Sequence, residues 1–380
     1  MEACDPNGSL NLTDELRAIK AHAAYGISAN HAGADATTWD IWTDFCTSLH
    51  CDPYLSNIDD PIPLLQIFAD RYRVGTLAPS RAAVRSRTVE GALRAVGQTF
   101  ASLGSPDPRL LPSGKLDLRL SRQLSAYSKR DPPPHRVKPV PLPIITHATQ
   151  QCLRANLPES NAIADMLLLG FFFLLRPGEY ACTSNPESCP FRVCDTHILI
   201  NDRRLNHYTC SELELNAATT VALEFTNQKN GVRGELVGLG RSGHPQWCPV
   251  LAIVRRIKHF RLHQAPPTTP LFCYYTTSSC HRITTSTLTQ HLRWAATAIG
   301  AASGITAADI SVRSLRSAGA MALLCANVDP DRIQLLGRWR SDQMLRYLHV
   351  QAFPIVAPLA AQMVRYGAFA FIPNNRLIWG

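Results

Sequence analysis

Apolar residues in the first third of the chain recur at the three- and four-residue intervals of helix faces. The spacing predicts helices over residues 12–24, 38–49, 61–73, 88–103 and 117–127. The apolar face of the fourth helix is formed by Val89, Ala92, Leu93, Val96 and Phe100. Gly104 follows this helix where a glycine commonly caps a helix C-terminus. The first third of the chain is therefore expected to be helical.

A proline-rich, cationic segment separates this region from the rest of the chain. Proline occupies positions 132, 133, 134 and 139, and proline removes the backbone donor that a helix interior needs. The segment also has few of the large side chains that build a core. We therefore expect an N-terminal extension over residues 1–34, a helical domain over 35–130, a basic linker over 131–141 and a second domain over 142–380.

The second domain combines helical and strand patterns. Helices are predicted over residues 142–155, 159–175, 248–263 and 285–299, and strands over 193–200, 219–226 and 234–239. Short helices follow residue 310. One of them is expected to begin with Asp329 as N-cap and Pro330 in its first turn, and to stop at Gly337. The fold class expected from this pattern is mostly α with a small antiparallel sheet.

The composition is that of a folded globular protein. Hydrophobic residues make up 46% of the 380 residues and charged residues 18%. The 38 lysines and arginines exceed the 29 acidic residues and give a net charge of +9. Such an excess attracts polyanions, so nucleic acid is the first partner to test. The most apolar stretch, residues 166–175, is half of the about 20 residues that a bilayer span needs, so no membrane association is expected.

The cysteines indicate reduced thiols in an intracellular protein. The twelve cysteines are irregularly spaced, and an acidic, polar run follows Met1 where a secretory leader would be apolar. One group of possible zinc ligands consists of Cys182, Cys189, Cys194, His207 and Cys210. Structural zinc sites usually contain tight Cys-x-x-Cys pairs, and this group has none. Buried free cysteines, and no metal, are therefore expected.

The first candidate for chemistry is an arginine at the end of the apolar helix predicted over residues 159–175. Arg176 is followed at once by Pro177 and Gly178, a turn-forming pair. A cation at a helix C-terminus stabilises it by about 0.3–1 kcal/mol. Taken alone, Arg176 is therefore either a helix cap or part of an anion site.

Two further arginines stand three residues apart. Arg313 and Arg316 precede a helix of small and apolar residues, and this spacing places them on one helix face. Such a pair can bind one anion, and the guanidinium fork matches the oxygens of a phosphoryl group. Without other motifs they would equally form a solvated basic face.

The last motif ends at a tyrosine. Leu335-Leu336-Gly337-Arg338 is followed nine residues later by Tyr347. Together with Leu-Arg-Pro-Gly-Glu at 175–179 and Leu-Arg-Ser at 315–317, this order resembles the tyrosine recombinase, or phage integrase, family. The run Gly-Arg-Trp-Arg-Ser-Asp at 337–342 is more similar to eukaryotic mobile-element members of the crypton type. The likeness covers about residues 35–365 and implies a helical core-binding domain plus a mixed α/β catalytic domain.

The resemblance implies a DNA strand transferase that works through a 3′-phosphotyrosyl intermediate. Arg176 and Arg316 would bind the non-bridging oxygens of the scissile phosphate and stabilise its transition state. Tyr347 would be the nucleophile. Lys229, at the tip of an Asn-Gly turn between two strands, would be the general acid, with Arg233 as the alternative. The scheme requires no metal and no cofactor.

Two positions depart from the family pattern. Arg313 stands where the family usually has histidine, and a guanidinium serves transition-state charge but cannot shuttle a proton. After Gly337 the family has histidine or tryptophan, whereas here Arg338 is in register and Trp339 follows. We favour Trp339 as the phosphate donor, with Arg338 as the alternative; otherwise Trp339 belongs to the core.

Other residues have supporting roles by the same resemblance. Glu179 would orient the catalytic arginines, unless it is a surface carboxylate. His349 is interpreted as structural. The phosphate-tracking cations of the linker and hairpin would be Lys129, Arg130, Arg136, Lys138 and Arg233, although a solvated linker has the same composition.

The implied partner is double-stranded DNA, which the two domains of each subunit would clamp. A homodimer or homotetramer would assemble on paired DNA sites. The protein would be nuclear in a eukaryotic host. Two alternatives remain open: a catalytically impaired or domesticated DNA-binding protein of the same fold, and a nicking-resealing enzyme similar to type IB topoisomerases. An apolar stripe in residues 355–364 would either dock on a neighbouring subunit or fold back on its own domain.

Overall fold

The computed structural model describes residues 29–133, 137–185, 188–226, 234–277 and 279–339, together with residue 363. The chain divides into two compact units between Pro134 and His135. In the described part of the chain, none of the helices combines the length and the apolar character needed to cross a membrane.

The first unit is a helical domain. Its helices are α1 (Ala29–Ser48), α2 (Ile62–Arg73), α3 (Ser86–Ser102) and α4 (Leu118–Arg130). The apolar face predicted for α3 is confirmed, since all five of its residues are buried. They pack with Trp42, Phe45 and Phe68 in one core. Helix α1 begins nine residues before the predicted residue 38, because the small and polar residues ahead of Thr38 lack the apolar spacing that marks a buried face.

The end of α4 is tied to the start of α3. The backbone N–H and the hydroxyl of Ser86 both donate to the Asp131 carboxylate, at 2.9 and 2.6 Å. Arg73 pairs with the same carboxylate. These bonds satisfy donors at the first turn of α3, and they fix the residue that immediately follows α4.

The second unit contains the remaining helices. They are α5 (Leu142–Ala155), α6 (Pro158–Phe172), α7 (Pro177–Tyr180), α8 (Glu212–Asn216), α9 (Pro249–Leu262), α10 (Thr285–Ile299), α11 (Ser314–Cys325) and α12 (Pro330–Gly337). Single 3₁₀ turns occur at Val193–Asp195, Gly300–Ser303 and Ala307–Asp309. Helix α6 is buried from Ala162 to Phe171, which makes it the centre of this unit's core.

An antiparallel sheet with the order β2-β1-β3-β4 packs in the same unit. Its strands are β1 (Thr196–Ile200), β2 (Arg203–Leu205), β3 (Thr220–Phe225) and β4 (Glu235–Gly240). Strand β3 alternates between half-buried and buried positions, as a strand with one face on the core does. Its last residue, Phe225, pairs with Glu235 of β4. A second hairpin, β5 (Cys273–Tyr275) with β6 (Cys280–Arg282), was not predicted, because three-residue strands carry too little pattern.

Helix α6 ends earlier than predicted. It stops at Phe172, and Leu174 adopts a left-handed backbone with φ +51°. The apolar side chains of 173–175 are buried without being helical, which is why the hydrophobic pattern alone extended the helix to 175. As a consequence, Arg176 does not cap α6; it is the extended N-cap residue of α7.

Helix α12 confirms both its predicted start and its predicted stop. Asp329 accepts a hydrogen bond from the N–H of Asp331, as an N-cap does. Gly337 is its last residue, and Arg338 follows as a left-handed C-cap, with φ +57°. Gly337 is needed for another reason: a Cβ there would overlap the ring of Trp339.

Candidate active site

One carboxylate holds Arg176. The Arg176 backbone N–H donates to Glu179 Oε2 at 2.7 Å, and its Nη1 donates to Glu179 Oε1 at 3.1 Å. The Glu179 side chain is 13% exposed and the Arg176 side chain 29%. Glu179 is therefore not a surface carboxylate. It fixes the direction of Arg176 while leaving that guanidinium partly open to solvent.

Arg316 is buried in α11 and reaches two other parts of the unit. Its Nη1 donates to the backbone oxygen of Leu174 at 2.8 Å, and its Nη2 donates to the backbone oxygen of Gly337. Its guanidinium lies over the Trp339 ring, 4.2 Å from the centroid. Arg316 thus connects the segment before Arg176 to the end of α12.

Arg313 and Arg316 do not share one environment, in contrast to the prediction. Arg313 is the N-cap residue of α11 and is exposed, whereas Arg316 is buried. The helix begins only at Ser314, because Ser311 and Ser314 bond to each other across the preceding turn. The two guanidinium groups therefore do not form a matched pair on one helix face.

Arg338 is a second buried cation of the site, beside Arg316. Its side chain is 2% exposed and lies 3.3 Å from Glu179 Oε2. Nη1 donates to the backbone oxygens of Phe173 and Leu336, and Nη2 to that of Leu174. Burial lowers the pKa of Arg338 to about 10, although Glu179 opposes this shift. The group still carries its charge at neutral pH.

Trp339 lies at the other side of the turn. It is half-buried, and its backbone N–H donates to the Gln334 oxygen at 3.1 Å. Its ring packs on Gly337 and on the Arg316 guanidinium. Of the two residues weighed for the third family motif, Arg338 is therefore the one that contacts Glu179, and Trp339 is the one that contacts Arg316.

These contacts bring together Arg176, Glu179, Arg316, Arg338 and Trp339, which we call the arginine cluster. The Leu174 oxygen accepts hydrogen bonds from both Arg316 and Arg338. Arg176 and Arg338 share one carboxylate, so this pair with Glu179 has a net positive charge. Fixed guanidinium donors of this kind are suited to stabilising an anion whose charge increases during a reaction.

Several predicted residues are not in the arginine cluster. Lys229, Arg233, Tyr347, His349 and Arg136 lie outside the described residues, as does most of the apolar stripe at 355–364. Lys129 and Arg130 form the exposed last turn of α4 in the first unit. Lys138, in the second unit, pairs with Asp309 at 3.3 Å and also donates to the Gly304 oxygen.

The prediction that the cysteines of this group are buried is wrong. Cys189 is exposed, and Cys182, Cys194 and Cys210 are half-buried rather than buried. Cys194 lies inside the 3₁₀ turn Val193–Asp195 and the other three lie outside helices and strands, where a pattern of core positions does not apply. Over the described ranges, His, Cys, Asp and Glu side chains form no group of three or more that could hold a metal ion.

Two members of the site environment were not predicted. Phe225 ends β3 and lies under the Arg338 guanidinium, 3.8 Å from its ring centroid to Cζ. Leu174 supplies the backbone oxygen that both buried arginines use. Phe225 has a weak sequence signal as the last apolar residue of an alternating strand. A backbone carbonyl has none.

No protein-family model and no curated protein sequence matches this chain. The structure is similar to that of the Tn1549 transposon integrase in complex with circular intermediate DNA, with a TM-score of 0.52 and 14% identity over 92% of this chain and 98% of that chain. A variant of that integrase with transposon right end DNA gives 0.43 and 13% over 87% and 99%. The XerA recombinase gives 0.35 and 12% over 93% and 97%.

The similarity to the first of these structures defines the fold. The chain has the tyrosine recombinase fold, mostly α with a small antiparallel sheet. The fold class predicted from the sequence is confirmed.

Proposed function

We propose that the protein cuts and rejoins DNA strands as a site-specific recombinase or integrase. The observation that supports this most is the arginine cluster. Arg176, Arg316 and Arg338 converge from three separate segments on Glu179 and the Leu174 oxygen, in a fold similar to that of an integrase solved with DNA. A net cationic site of fixed guanidinium groups matches the charge and the geometry of a phosphodiester.

The proposed reaction forms one bond and breaks one bond at phosphorus. The phenol oxygen of Tyr347 attacks the scissile phosphate and loses its proton to solvent. The bond from phosphorus to the 5′-oxygen breaks, and Lys229 gives that oxygen a proton. The products are a 3′-phosphotyrosyl linkage and a free 5′-hydroxyl. Attack by a 5′-hydroxyl on the phosphotyrosine reverses these steps and rejoins a strand.

The arginines would stabilise the transition state of both steps. Negative charge on the non-bridging oxygens rises as the phosphorus becomes five-coordinate, and prearranged guanidinium donors need no reorganisation to meet it. A tyrosine has an ordinary pKa of about 10, so the neighbouring cations would also favour its phenolate form. Arg176, whose side chain is partly open to solvent, is the first phosphate ligand in this scheme. Arg316 becomes the second when a phosphate oxygen replaces one of its backbone acceptors.

The assembly and setting are part of the proposal. Recombination joins two sites, so a homodimer or homotetramer would hold paired DNA duplexes. Lys129 and Arg130, exposed at the end of α4, would contact phosphates. The likeness of residues 337–342 to crypton-type members suggests a eukaryotic mobile element and hence a nuclear protein.

A second function is favoured by Arg313. This residue is exposed at the position of the family histidine and cannot transfer a proton. If that transfer is essential, the chain is a DNA-binding protein that has kept the fold and lost the reaction. A type IB-like enzyme that nicks and reseals one duplex is the third candidate.

A covalent adduct distinguishes binding from chemistry. Duplexes that the purified protein binds would first be selected from a random library. Each would then be prepared with a nick beside the candidate phosphate, so that the short strand released by cleavage dissociates and cannot be rejoined. We expect a DNA-protein band that survives denaturation, and its loss in Tyr347→Phe at unchanged DNA affinity. Tyr208→Phe, an exposed tyrosine of the same unit, is the matched control.

Each remaining outcome selects an alternative. An adduct that persists in Tyr347→Phe rejects this nucleophile. Binding without any adduct supports the impaired DNA-binding protein. Relaxation of one supercoiled plasmid, without joining of two sites, supports the topoisomerase-like enzyme.

A further inference from the structure

The two oxygens of Glu179 have different partners. Oε1 accepts from Arg176 Nη1 at 3.1 Å. Oε2 accepts from the Arg176 backbone N–H at 2.7 Å and lies 3.3 Å from Arg338 Nη2. A carboxylate facing a single arginine can take both prongs of its fork in a bidentate pair. Here Arg338 also pairs with Oε2, so the guanidinium of Arg176 is held through one of its nitrogens, Nη1.

Arg338 is too enclosed to be a phosphate ligand in this arrangement. Its side chain is 2% exposed, whereas that of Arg176 is 29% exposed. Its Nη atoms donate to three backbone oxygens and to Glu179. A phosphate oxygen would have to displace these acceptors, one of which is itself an anion, the Glu179 carboxylate. Arg338 therefore contacts the residues that surround the site rather than the place where a substrate would lie.

The burial of Arg338 is unfavourable in itself. Within the described residues its Nε has no hydrogen-bond partner, and its backbone holds a left-handed conformation usual for glycine or asparagine at a C-cap. Burying a charge with an unpaired donor costs stability. A residue kept there against that cost is better explained by what it does for Glu179 than by what it does for the fold.

Arg338 also contacts the base of the β3–β4 hairpin. Its guanidinium lies 3.8 Å from the Phe225 ring centroid, and Phe225 pairs with Glu235 across the two strands. The residues between these two strands, 226–234, include Lys229. One side chain thus contacts both Glu179, which holds Arg176, and the strand that leads into the segment of the proposed general acid.

We propose that Arg338 is a positioning residue: it occupies Glu179 Oε2 so that Arg176 keeps an outward-facing guanidinium for the phosphate. This assignment rests on the proposed function, in which Arg176 binds the scissile phosphate. It differs from the role of the histidine or tryptophan at the equivalent family position, because Arg338 acts through a carboxylate and not through the substrate. Without Arg338, Glu179 would pair with two nitrogens of the Arg176 guanidinium and draw that group away from the position of the phosphate.

The first test measures Arg176 directly and needs no DNA cleavage. Phenylglyoxal modifies accessible guanidinium groups, and peptide mass spectrometry gives the rate at each arginine. We expect Arg338→Met to slow modification of Arg176, because Glu179 then holds both of its prongs. Adding Glu179→Gln to that variant should restore the rate, and Arg332→Met, an exposed arginine of the same helix, should not change it.

The second test measures adduct formation at saturating DNA. Arg338→Met should lower the rate roughly 10–100-fold, the usual effect of removing a residue that orients a catalytic group, with DNA affinity unchanged. Arg338→Lys, which keeps the charge, should recover part of it. Arg338→Met in a Glu179→Gln background should add little, since both changes act on Arg176. Ile333→Val, a buried change in α12, controls for lost stability.

The two proposals fail in different ways. If Arg176 reacts equally fast in the parent and in Arg338→Met, the positioning role is wrong, whether or not the protein cleaves DNA. Additive effects of Arg338→Met and Glu179→Gln on adduct formation would also overturn it. If the parent forms no adduct, the recombinase function fails, and the rate at Arg176 still decides the role of Arg338.

Discussion

Arg316 donates a hydrogen bond to the backbone oxygen of Leu174, 2.8 Å away and 142 residues earlier in the chain. Leu174 presents this oxygen because its backbone turns left-handed directly after α6. The same turn releases Arg176 from the helix and starts α7. A local backbone feature therefore places two arginines, distant in sequence, around one segment.

The first prediction concerns these two arginines. Arg176→Ala and Arg316→Ala should each lower DNA cleavage by roughly 10²–10³-fold, the cost of removing one donor to a developing oxyanion. DNA affinity should fall far less, since many other phosphate contacts support binding. Adduct formation measured beside filter binding separates the two effects.

Controls are needed because Arg316 is also a structural residue. Its removal leaves the Leu174 and Gly337 oxygens without this donor and takes away a ring contact with Trp339. Arg316→Lys keeps the charge, and thermal unfolding of each variant shows whether the fold survives. Arg332→Ala is the surface control. Parent-like cleavage by a folded Arg176→Ala or Arg316→Ala protein would show that the phosphate ligands lie elsewhere.

Elements with long, regular apolar patterns could be predicted from the sequence. Helices α3 and α10 lie within two residues of their predicted bounds, because their buried faces repeat over four turns. The arginine motifs were also found, since guanidinium pairs and a spaced tyrosine have recognisable order. The environments of these arginines were not predicted. Whether Arg313 and Arg316 are exposed depends on where α11 begins, and the hydrogen-bonded turn of Ser311 and Ser314 sets that start.

The third motif shows a different limit. Sequence spacing allowed either Arg338 or Trp339 to face the site. The helix ends at Gly337, where the Trp339 ring occupies the space that a Cβ would take. Arg338 contacts Glu179 and Phe225, which lie 159 and 113 positions earlier in the chain. Contacts between residues more than a hundred positions apart made this choice, and no local pattern contains them.

The second prediction concerns the pH dependence of stability. Burial lowers the pKa of His207 from 6.5 to about 4, and burial also lowers that of His259 to about 4. His259 Nε2 accepts the Tyr275 backbone N–H at 2.9 Å, which requires an unprotonated nitrogen. Between pH 6.5 and 4 the unfolded chain binds more protons than the folded one, so stability present above pH 6.5 is lost as the pH falls.

Variants identify the histidine responsible. His207 is buried and His259 half-buried, so each replacement removes one group that the fold holds unprotonated. Urea unfolding at pH 4.5 and 7 should show a smaller loss of stability in His207→Gln than in the parent, and a smaller loss again when His259→Gln is added. Equal losses in all three proteins would mean that neither histidine is held neutral by the fold.

The third prediction concerns the contact between α6 and α11. A Cβ at Gly319 would meet the backbone oxygen of Phe171 and the side chain of Leu174. Alanine is ordinarily favoured over glycine inside a helix by about 1 kcal/mol, but overpacking a core costs about 1–3 kcal/mol. Gly319→Ala should therefore destabilise the second unit, as measured by thermal unfolding.

Gly91→Ala in α3, where no atom lies closer than 4.0 Å to the added Cβ, should instead stabilise the first unit. A gain in stability from Gly319→Ala would show that α6 and α11 approach less closely, and that the oxygen of Leu174 is not held against Arg316 by their packing.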